Sequence, residues 1–258
     1  MSKLPPRPPS RKKIKSNASG SLAEWAYLDI RGKILRGDLA VGVALSRRRL
    51  ALELDISVPP VTEALQRLES EGLIESEPRA GTRVRVPTRV DVEERYLLRE
   101  ALEVQSARLF AERATQAEKR EILRMGREVD RRYARCETGE VDRETLFAVN
   151  TYHMELHLRI AECARCGLLR DAIEREQVLV FNWLFDTVVE RRTLAADYHA
   201  TLTADLAAGT SDEAAAAMRM HIRRGLDQVL QKIDLMGEIQ GGWRQKRTGK
   251  GIRKVWSK

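Results

Sequence analysis

The stretch ILRGDLAVGVALSRRRLALELDISVPPVTEALQRLESEGLIESEPRAGTRV, residues 34–84, carries the clearest structural pattern in the chain. Ser46 and Ser57 each precede a run with helically spaced apolar residues, and a serine in that position can cap the free N–H groups of a helix start. Pro59 and Pro60 fall in the first turn of the second run, where a missing N–H costs little. The stretch therefore predicts two short, consecutive helices joined by a tight turn.

The flanking residues complete a DNA-binding motif. Residues 23–36 have apolar side chains at near-helical spacing and precede a glycine, which indicates a further helix upstream. Downstream, residues 73–77 and 82–86 are short β runs joined by PRAG, which predicts a hairpin with its turn at Gly81. Helix, helix, turn, helix and hairpin make a winged helix-turn-helix, which places its third helix in the major groove of DNA. We therefore predict a DNA-binding domain over residues 21–88.

The rest of the chain has a helical pattern. No proline follows Pro87, and apolar residues recur at intervals of three or four over residues 89–238, which predicts an all-α antiparallel helical bundle. The predicted fold class is therefore mainly α, with an N-terminal winged helix-turn-helix and a C-terminal bundle. The predicted helices of the bundle are 91–114, 116–137, 142–164, 168–191, 193–208 and 211–235.

Composition limits the class of protein. With 258 residues the chain has room for about two domains, and no stretch approaches the roughly 18 apolar residues of a membrane span. The first residues lack the apolar region of a secretory signal, and the three cysteines favour a reducing compartment. We therefore expect a cytoplasmic protein without membrane contact.

Positive charge is concentrated at the two ends. The net charge of +8 includes six basic residues in 1–20 and seven in 241–258, with no acid in either segment. We predict disordered basic tails over residues 1–20 and 239–258. Such tails can hold a polyanion such as DNA, although they can equally be solvated ends that keep the protein soluble.

All four histidines lie in the predicted bundle. His153 and His157 are four residues apart, so they share one face of a helix, whereas His199 and His221 come from other segments. Neutral imidazoles that converge inside a bundle can hold a divalent metal ion. Four such rings would form a metal site if they converged, and the rest of the sequence has to decide whether they do.

Between Gly37 and Gly81, glycines, apolar residues and helix-start residues occur at the spacing of a known family pattern. The other members of this pattern are Gly42, Leu45, Ser46, Leu50, Ala51, Ser57, Pro60, Val61, Glu63, Ala64, Leu65, Leu68, Glu71, Gly72 and Leu73. With these residues the segment resembles the N-terminal domain of the GntR family of transcription regulators, which implies a double-stranded DNA operator as partner. The resemblance implies DNA contacts from the second helix, the start of the third helix and the wing. The corresponding residues are Arg47, Arg48, Arg49, Ser57, Val58, Pro59, Thr62, Arg79 and Gly81.

The chain differs from the family pattern at two base-reading positions. The family has arginine where Val58 and Thr62 stand, and an arginine can read a guanine through two hydrogen bonds. Valine contacts only a thymine methyl group. We therefore expect a more T-rich half-site, or a larger share of the affinity from phosphate contacts by Arg47, Arg48 and Arg49. The alternative is that these three arginines form only a charged helix face.

The helical half carries a second resemblance, in the segments LLREALEVQSARLFAERA, HMELHLRIAECARCGLL and DYHATLTADLAAGTSDEAAAAMRMHI. They resemble the FCD-type effector domain of the FadR subfamily, and six rather than seven helices is similar to the branch typified by the vanillate regulator. Such domains hold a metal through an aspartate or asparagine and a histidine four residues apart, plus two later histidines. His157, His199 and His221 match this pattern, and His153 stands where aspartate is usual.

The exchange of aspartate for His153 changes the expected metal chemistry. A divalent ion with four neutral ligands keeps its full charge, so we expect zinc or nickel in preference to magnesium or calcium, and a strong attraction for an anion. Alternatively, His153 turns away and three histidines bind. Asn150, one turn earlier, is a candidate partner for His153.

Arg99 is the candidate effector-binding residue. With Glu103 it forms an R-x-x-x-E pattern, which in the resembled domains faces the metal and pairs with a carboxylate effector. The resemblance thus implies that a small organic acid chelates the metal and is held by Arg99. The alternative is an exposed arginine–glutamate pair on a helix surface.

A pair of cysteines and a group of aromatic residues in the predicted bundle also need an interpretation. We interpret Cys163 and Cys166 as packing and helix-end residues, because no second CxxC motif follows. Some members of an aromatic group in the fourth bundle helix are expected to line the core and others to meet a partner subunit. This group consists of Phe181, Trp183 and Phe185.

These patterns predict a cytoplasmic, homodimeric and ligand-responsive repressor that binds two half-sites one helical turn apart. A metalloenzyme is the alternative, since histidines in a bundle can activate water, but no HExxH pattern stands beside them and Glu155 is expected to point away. A third interpretation, a non-specific DNA-packaging protein, leaves the histidines without a role.

Overall fold

The computed structural model describes residues 21–77, 81–137, 142–175 and 195–248, and the side chains beyond Gln231 are not described. The predicted tail 1–20, Arg79 and the aromatic group at positions 181–185 lie outside these residues. Within them the chain is mainly helical with one small sheet, as predicted.

The N-terminal domain has the predicted order of helices and hairpin. The sheet is antiparallel in the order β1-β3-β2, and β1 is a short strand that sequence patterns did not reveal. It forms because Ala44 and Leu45 pair with Arg83 and Thr82 of the hairpin, so the strand is defined by its partner rather than by its own two residues. The elements are α1 Leu22–Leu35, β1 Ala44–Leu45, α2 Arg47–Glu53, α3 Val58–Ser70, β2 Ile74–Glu77 and β3 Gly81–Val84.

The two predicted serine caps behave differently. The Ser46 side chain accepts a hydrogen bond from the Arg49 N–H at the start of α2. Ser57 occupies the N-cap position of α3, but its side chain makes no capping hydrogen bond, so this part of the prediction was wrong. The reason is that an N-cap hydroxyl accepts from the second or third helical N–H, and these positions are Pro59 and Pro60.

The bundle follows the predicted helices closely, with three differences. The helix predicted from residue 193 begins only at Tyr198, because residues 195–197 form a turn. The fourth helix is described only as far as Arg175. The last helix continues to Thr248, where the sequence predicted a helix end at 235 and a disordered tail from 239. The helices are α4 Arg89–Arg113, α5 Gln116–Glu137, α6 Arg143–Cys163, α7 Gly167–Arg175, α8 Tyr198–Ala208 and α9 Ser211–Thr248.

Neighbouring helices of the bundle run antiparallel. Arg223 Nε of α9 lies 2.9 Å from Glu100 Oε2 of α4, and Arg108, further along α4, binds Asp212 near the start of α9. A closely packed apolar core, which includes Phe110, Ile122, Leu156 and Ile222, joins α4, α5, α6 and α9. No helix in the described ranges is long and apolar enough to cross a membrane.

A direct contact connects the bundle to the DNA-binding domain. Phe147 of α6 is 4% exposed and belongs to the same apolar core as Ile34 and Leu68 of the N-terminal domain. The Arg36 guanidinium lies 5.8 Å from the centre of its ring. The helix that carries two of the four histidines is therefore anchored in the DNA-binding domain.

Candidate metal centre

Three helices bring the four histidines together in the interior of the bundle. His153 and His157 lie on α6, His199 lies on α8 and His221 lies on α9. Each is at most 9% exposed. As their i,i+4 spacing predicted, His153 and His157 lie on one face of α6. The packing of α8 and α9 brings the rings of His199 and His221 to the same place.

Three of these side chains have the geometry of a metal site. His157 Nε2 lies 3.0 Å from His153 Nε2 and 3.3 Å from His221 Nε2. One ligand nitrogen from each of the three histidines can be chosen so that all lie within 4.8 Å of one another. Adjacent nitrogens that share an ion at about 2.0–2.1 Å are separated by roughly 2.8–3.4 Å in octahedral or tetrahedral geometry. The pairs His157–His153 and His157–His221 already have this separation, and a bound ion would require His153 and His221, which lie within 4.8 Å, to have it as well.

His199 lies beside this triad. Its ring centre is 4.5 Å from that of His153 and 5.4 Å from that of His221. Its Nδ1 lies 2.7 Å from Asp130 Oδ1, and the same carboxylate accepts the backbone N–H groups of His199 and Ala200. Because Nδ1 donates to Asp130, Nε2 is the nitrogen of His199 with a free lone pair.

A buried ion pair on α4 orients His157. Glu103 accepts a hydrogen bond from Arg99 Nε at 2.6 Å and also contacts His157 Nδ1. Burial alone would raise the pKa of the Glu103 carboxyl, but Arg99 and His157 hold that pKa at about 2. The ionised carboxylate fixes the proton of His157 on Nδ1 and leaves Nε2 as a lone-pair donor.

The ion pair of Arg99 with Glu103 is not a surface feature. Arg99 is 2% exposed, so the alternative of an exposed helix pair was wrong. Its Nη2 lies 3.5 Å from His157 Nε2, which places a permanent cation beside the three converging nitrogens. An anion bound there would gain both this charge and the charge of a metal ion.

Tyr133 connects the candidate partner Asn150 to the histidines. Its hydroxyl donates to Asn150 Oδ1 at 2.7 Å and lies 3.5 Å from His153 Nδ1. Asn150 is fully buried one turn before His153. The expected link between Asn150 and His153 therefore runs through a tyrosine on α5.

Burial disfavours the charged form of three of the four imidazoles. Burial lowers the pKa of His153 and His221 well below the usual value of 6.5, and the neighbouring histidines and Arg99 lower it further. Burial also lowers the pKa of His199, although Asp130 opposes the shift. Neutral rings expose the lone pairs that a divalent cation needs, so these residues fit a metal ion.

The depressed histidine pKa values predict a pH-dependent stability for the metal-free protein. In the unfolded chain a histidine takes up a proton near pH 6.5, whereas in the folded bundle His153 and His221 resist it. The unfolded state therefore binds more protons as the pH falls below about 6.5, and stability decreases by up to about 1.4 kcal/mol per pH unit for each such histidine. Denaturant unfolding of chelated protein at pH 7.5 and 5.5 measures this, and equal stabilities at the two pH values would contradict it.

Two residues of the site escaped the sequence patterns. Asp130 was not identified from the sequence. It lies on the face of α5 that otherwise carries apolar residues such as Val129 and Tyr133. An aspartate on a core-facing side of a helix could have indicated a functional residue. Gly126 was also missed. A Cβ at this position would lie 2.3 Å from Thr203 Oγ1 and 2.7 Å from the His199 carbonyl oxygen. Glycine here lets α5 and α8 approach closely enough for Asp130 to reach His199.

A groove between α8 and α9 opens beside the site. Its volume is about 400 Å³, and it is lined by His221 together with Tyr198, Thr201, Met220 and Arg224. Pockets of about 300–1,000 Å³ are typical of small-molecule sites.

The cysteines pack in the bundle. Cys136 and Cys163 are buried and Cys166 is partly buried, and burial raises the pKa of the Cys163 thiol to about 11. The thiolate needed for redox or metal chemistry is therefore rare at neutral pH, which agrees with a packing role.

The predicted DNA-contacting residues lie on the surface of the N-terminal domain. Arg47, Arg48 and Arg49 are exposed, and Arg49 pairs with Glu53 at 3.2 Å. At the start of α3, Ser57, Val58 and Pro59 are exposed and Thr62 is half-buried. The Thr62 hydroxyl donates to the Val58 carbonyl oxygen at 3.1 Å. Gly81, at the wing, is exposed with φ +91°, a conformation that favours glycine.

The fold and the site together define a DNA-binding regulator with a separate helical domain. Family models agree with this class: residues 22–84 match the bacterial regulatory proteins of the gntR family, and residues 94–224 match the FCD domain. The chain therefore belongs to the FCD-containing GntR transcription regulators, and it is not an enzyme.

Relatives and solved structures carry the same descriptions. The chain is 28% identical to the Nta operon transcriptional regulator of Aminobacter aminovorans over 74% of this chain and 87% of that protein. It is 38% identical to a D-xylose utilization operon repressor of Paenarthrobacter nicotinovorans, over 31% of this chain and 35% of that protein. Two solved structures share the fold. The match to a GntR regulator from Rhodococcus sp. RHA1 has a TM-score of 0.66 and 24% identity, and it spans 82% of this chain and 99% of that chain. The match to E. coli McbR/YncC has a TM-score of 0.64 and 20% identity, and it spans 83% of this chain and 99% of that chain.

Proposed function

We propose that the protein is a metal-containing repressor of the FadR subfamily that acts in the cytoplasm as a homodimer and senses a small organic acid. The observation that carries this proposal is the set of buried histidines with converging nitrogens and a buried arginine beside them. A regulator has no need of such a site for packing alone, because burying several polar rings and a charge is costly unless they bind something.

The metal ligands in this proposal are His153, His157 and His221, with His199 as a fourth ligand through its Nε2. Four neutral ligands favour zinc or nickel. When bound, the ion supplies a Lewis-acidic centre that attracts a carboxylate. The chain's own residues then orient the ligands: Glu103 holds His157 and Asp130 holds His199.

The effector in this proposal enters through the groove beside His221 and is held by Arg99. Nη2 of Arg99 faces the triad, and a guanidinium group suits a carboxylate because it can donate two parallel hydrogen bonds. An acid of a few carbon atoms fits the groove volume of about 400 Å³.

We expect Arg99→Lys to weaken the response to the effector by about tenfold or more. Lysine keeps the positive charge beside Glu103 but loses the planar fork that pairs with a carboxylate. The measurement is the concentration of acid that releases DNA from the variant and from the wild type. Arg108→Lys makes the same exchange on α4 at an exposed ion pair with Asp212, away from the triad and the groove, and serves as a control. An unchanged response in Arg99→Lys contradicts the role of Arg99.

Effector binding reaches the DNA-binding domain through α6 in this proposal. His153 lies six residues after Phe147, which is about 9 Å along the helix. A shift of α6 at the metal therefore acts on the core beneath α3. Regulation requires that the effector favour one placement of the two DNA-binding domains over another.

The proposed base contacts of α3 lead to a second prediction, which concerns DNA sequence preference. We expect Val58→Arg to move sequence preference towards guanine, because arginine gains two hydrogen bonds to that base, worth about 1–3 kcal/mol. Selection from a random duplex library, compared between the variant and the wild type, measures the change. Leu52→Arg, on the exposed face of α2, adds the same charge away from the proposed base-reading positions. If both variants select the same sequences as the wild type, Val58 does not face the bases.

Titration of the full chain against its own upstream DNA and a scrambled duplex tests the regulator directly. We expect a clear preference for the upstream DNA at two salt concentrations. Equal affinities that fall steeply with salt would show non-specific binding by charge and would contradict the proposal.

A further inference from the structure

The outward face of α5 carries a stripe of arginines. Its four members are exposed, and they are Arg120, Arg124, Arg127 and Arg131. Since each residue turns a helix by about 100°, these positions lie within about 60° of one another around the axis and extend over about 16 Å. The opposite face, which includes Ile122 and Val129, packs in the bundle core. The helix therefore presents one row of guanidinium groups away from the core.

The acidic side chains of α5 are engaged by other groups. Two of them bind arginines on the side of α6, and Asp130 binds His199. Glu128 binds Arg131, at one end of the stripe, and it also binds Arg132. Within the described part of the chain, the other three arginines of the stripe form no ion pair. Their charge is therefore not neutralised by the bundle.

This lack of an acidic partner is shared with the proposed DNA contacts of α2. Several exposed arginines of the chain pair with an acid, for example Arg67 with Glu24. Arg47 and Arg48 at the start of α2 are exposed and, among the described residues, form no ion pair. A row of exposed positive charges without counter-charges attracts a polyanion. The stripe thus has the electrostatic property expected of a phosphate-binding surface.

The stripe begins near the end of the bundle that adjoins the DNA-binding domain. The next helix, α6, starts six residues after the end of α5, and its Phe147 belongs to the same core as residues of the DNA-binding domain. Arg131 is about 9 Å from the end of α5, and Arg120 is about 16 Å further along the helix. DNA that continues past a half-site and bends towards the bundle meets the stripe at Arg131 first.

We propose that the arginine stripe of α5 binds the phosphate backbone of DNA outside the half-site that α3 reads. Each strand of DNA carries one phosphate per 3.4 Å of helix axis, so a length of about 16 Å spans four or five phosphates of one strand. Guanidinium groups suit phosphate because they donate two parallel hydrogen bonds. The contact carries no sequence information, and it is separate from the metal centre and from base reading by α3.

The salt dependence of DNA affinity tests the proposal. The control removes the same charge from arginines that bind acids on the α4 and α9 surface. The variant is R120Q/R124Q/R127Q, and the control is R108Q/R219Q/R223Q. Full-length proteins are titrated from low to high salt with upstream and scrambled duplexes of two lengths. Duplexes of about 20 base pairs cover two half-sites one helical turn apart, and duplexes of about 60 base pairs add flanking DNA.

On the longer duplexes, we expect the slope of log affinity against log salt to become shallower by about 0.9 for each lost phosphate contact, so by up to about 2.7 in the triple variant. The change should be the same for upstream and scrambled DNA, because phosphates do not report sequence. On the shorter duplexes the variant should keep the wild-type slope. The control should keep that slope on every duplex.

An unchanged slope of the variant on the longer duplexes overturns the proposal. An equal change in the control also overturns it, since the effect would then come from net charge alone. An equal change on the shorter duplexes contradicts a contact outside the half-sites. Dissociation of the variant into monomers, seen by sedimentation, overturns the proposal in favour of a contact between two copies of the chain.

This outcome is independent of the proposed function. The wild-type preference for upstream over scrambled DNA tests base reading, whereas the change of slope with duplex length tests the stripe. A protein with no sequence preference could still show the change of slope, and the reverse also holds.

Discussion

Replacing His157 with alanine is expected to weaken metal binding by about 100-fold or more. His157 Nε2 faces both His153 and His221, so its loss removes the central ligand of the triad. Loss of a residue that merely orients a ligand already costs 10–100-fold in metal affinity, and loss of a ligand costs at least as much. Calorimetric titration of chelated protein with zinc, in the presence of a competing chelator, measures the change.

A control on the same helix separates loss of the ligand from loss of structure. Glu155 is two residues from both histidines of α6 and half-buried, and in none of its described contacts does it touch the triad. Glu155→Ala should keep the metal affinity of the wild type. Equal affinities of His157→Ala and wild type, with circular dichroism showing both folded, would contradict a metal centre at the triad.

Asp130→Asn distinguishes a centre of three histidines from one of four. Asparagine keeps the shape of Asp130 but weakens its hold on the Nδ1 proton of His199. If His199 is a ligand, we expect zinc affinity to fall by about 10–100-fold. If only the triad binds, the affinity stays close to that of the wild type.

The second large effect is expected from Gly126→Ala. The added methyl group would overlap Thr203 Oγ1 and the backbone oxygen of His199, and neither helix can yield freely because both are packed in the bundle core. Alanine gains about 1 kcal/mol in helix propensity over glycine. Overpacking of a tight core costs about 1–3 kcal/mol and displaces α8. We therefore expect a net loss of stability and weaker zinc binding together.

Gly225 provides the matched control. It also lies inside a helix, but a Cβ there would meet the Tyr96 ring at 3.5 Å, an ordinary van der Waals contact. Gly225→Ala should therefore be neutral or stabilising, because only the gain in helix propensity remains. Thermal unfolding of both variants measures the difference. A Gly126→Ala protein as stable as Gly225→Ala would show that α5 and α8 are not in close contact.

The sequence predicted the helices and strands that are determined by residues close together in the chain. Helix periodicity identified the described helices of the bundle, and the positions of four histidines indicated one site. Those signals work because a helix places residues four apart on one face. They do not measure how far one helix extends beyond its neighbours, which is why the length of α9 was underestimated.

The residues that sequence reasoning missed depend on contacts between helices. Asp130 acts on His199 from 69 positions away, and Gly126 matters only because α8 crosses it. The missing cap of Ser57 is different, since the two prolines that prevent it stand in the sequence. Local chemistry therefore explains that correction, whereas packing explains the others.

The most direct test of the account is DNA release by small acids from the metal-loaded protein. Fluorescence anisotropy of the upstream duplex is measured with zinc-loaded protein, chelated protein and His157→Ala, across a panel of small mono- and dicarboxylic acids. We predict that at least one acid weakens the affinity of the zinc-loaded wild type for DNA by about tenfold, and leaves the other two unaffected. If no acid acts, or if the effect persists without metal, the histidine centre does not control DNA binding.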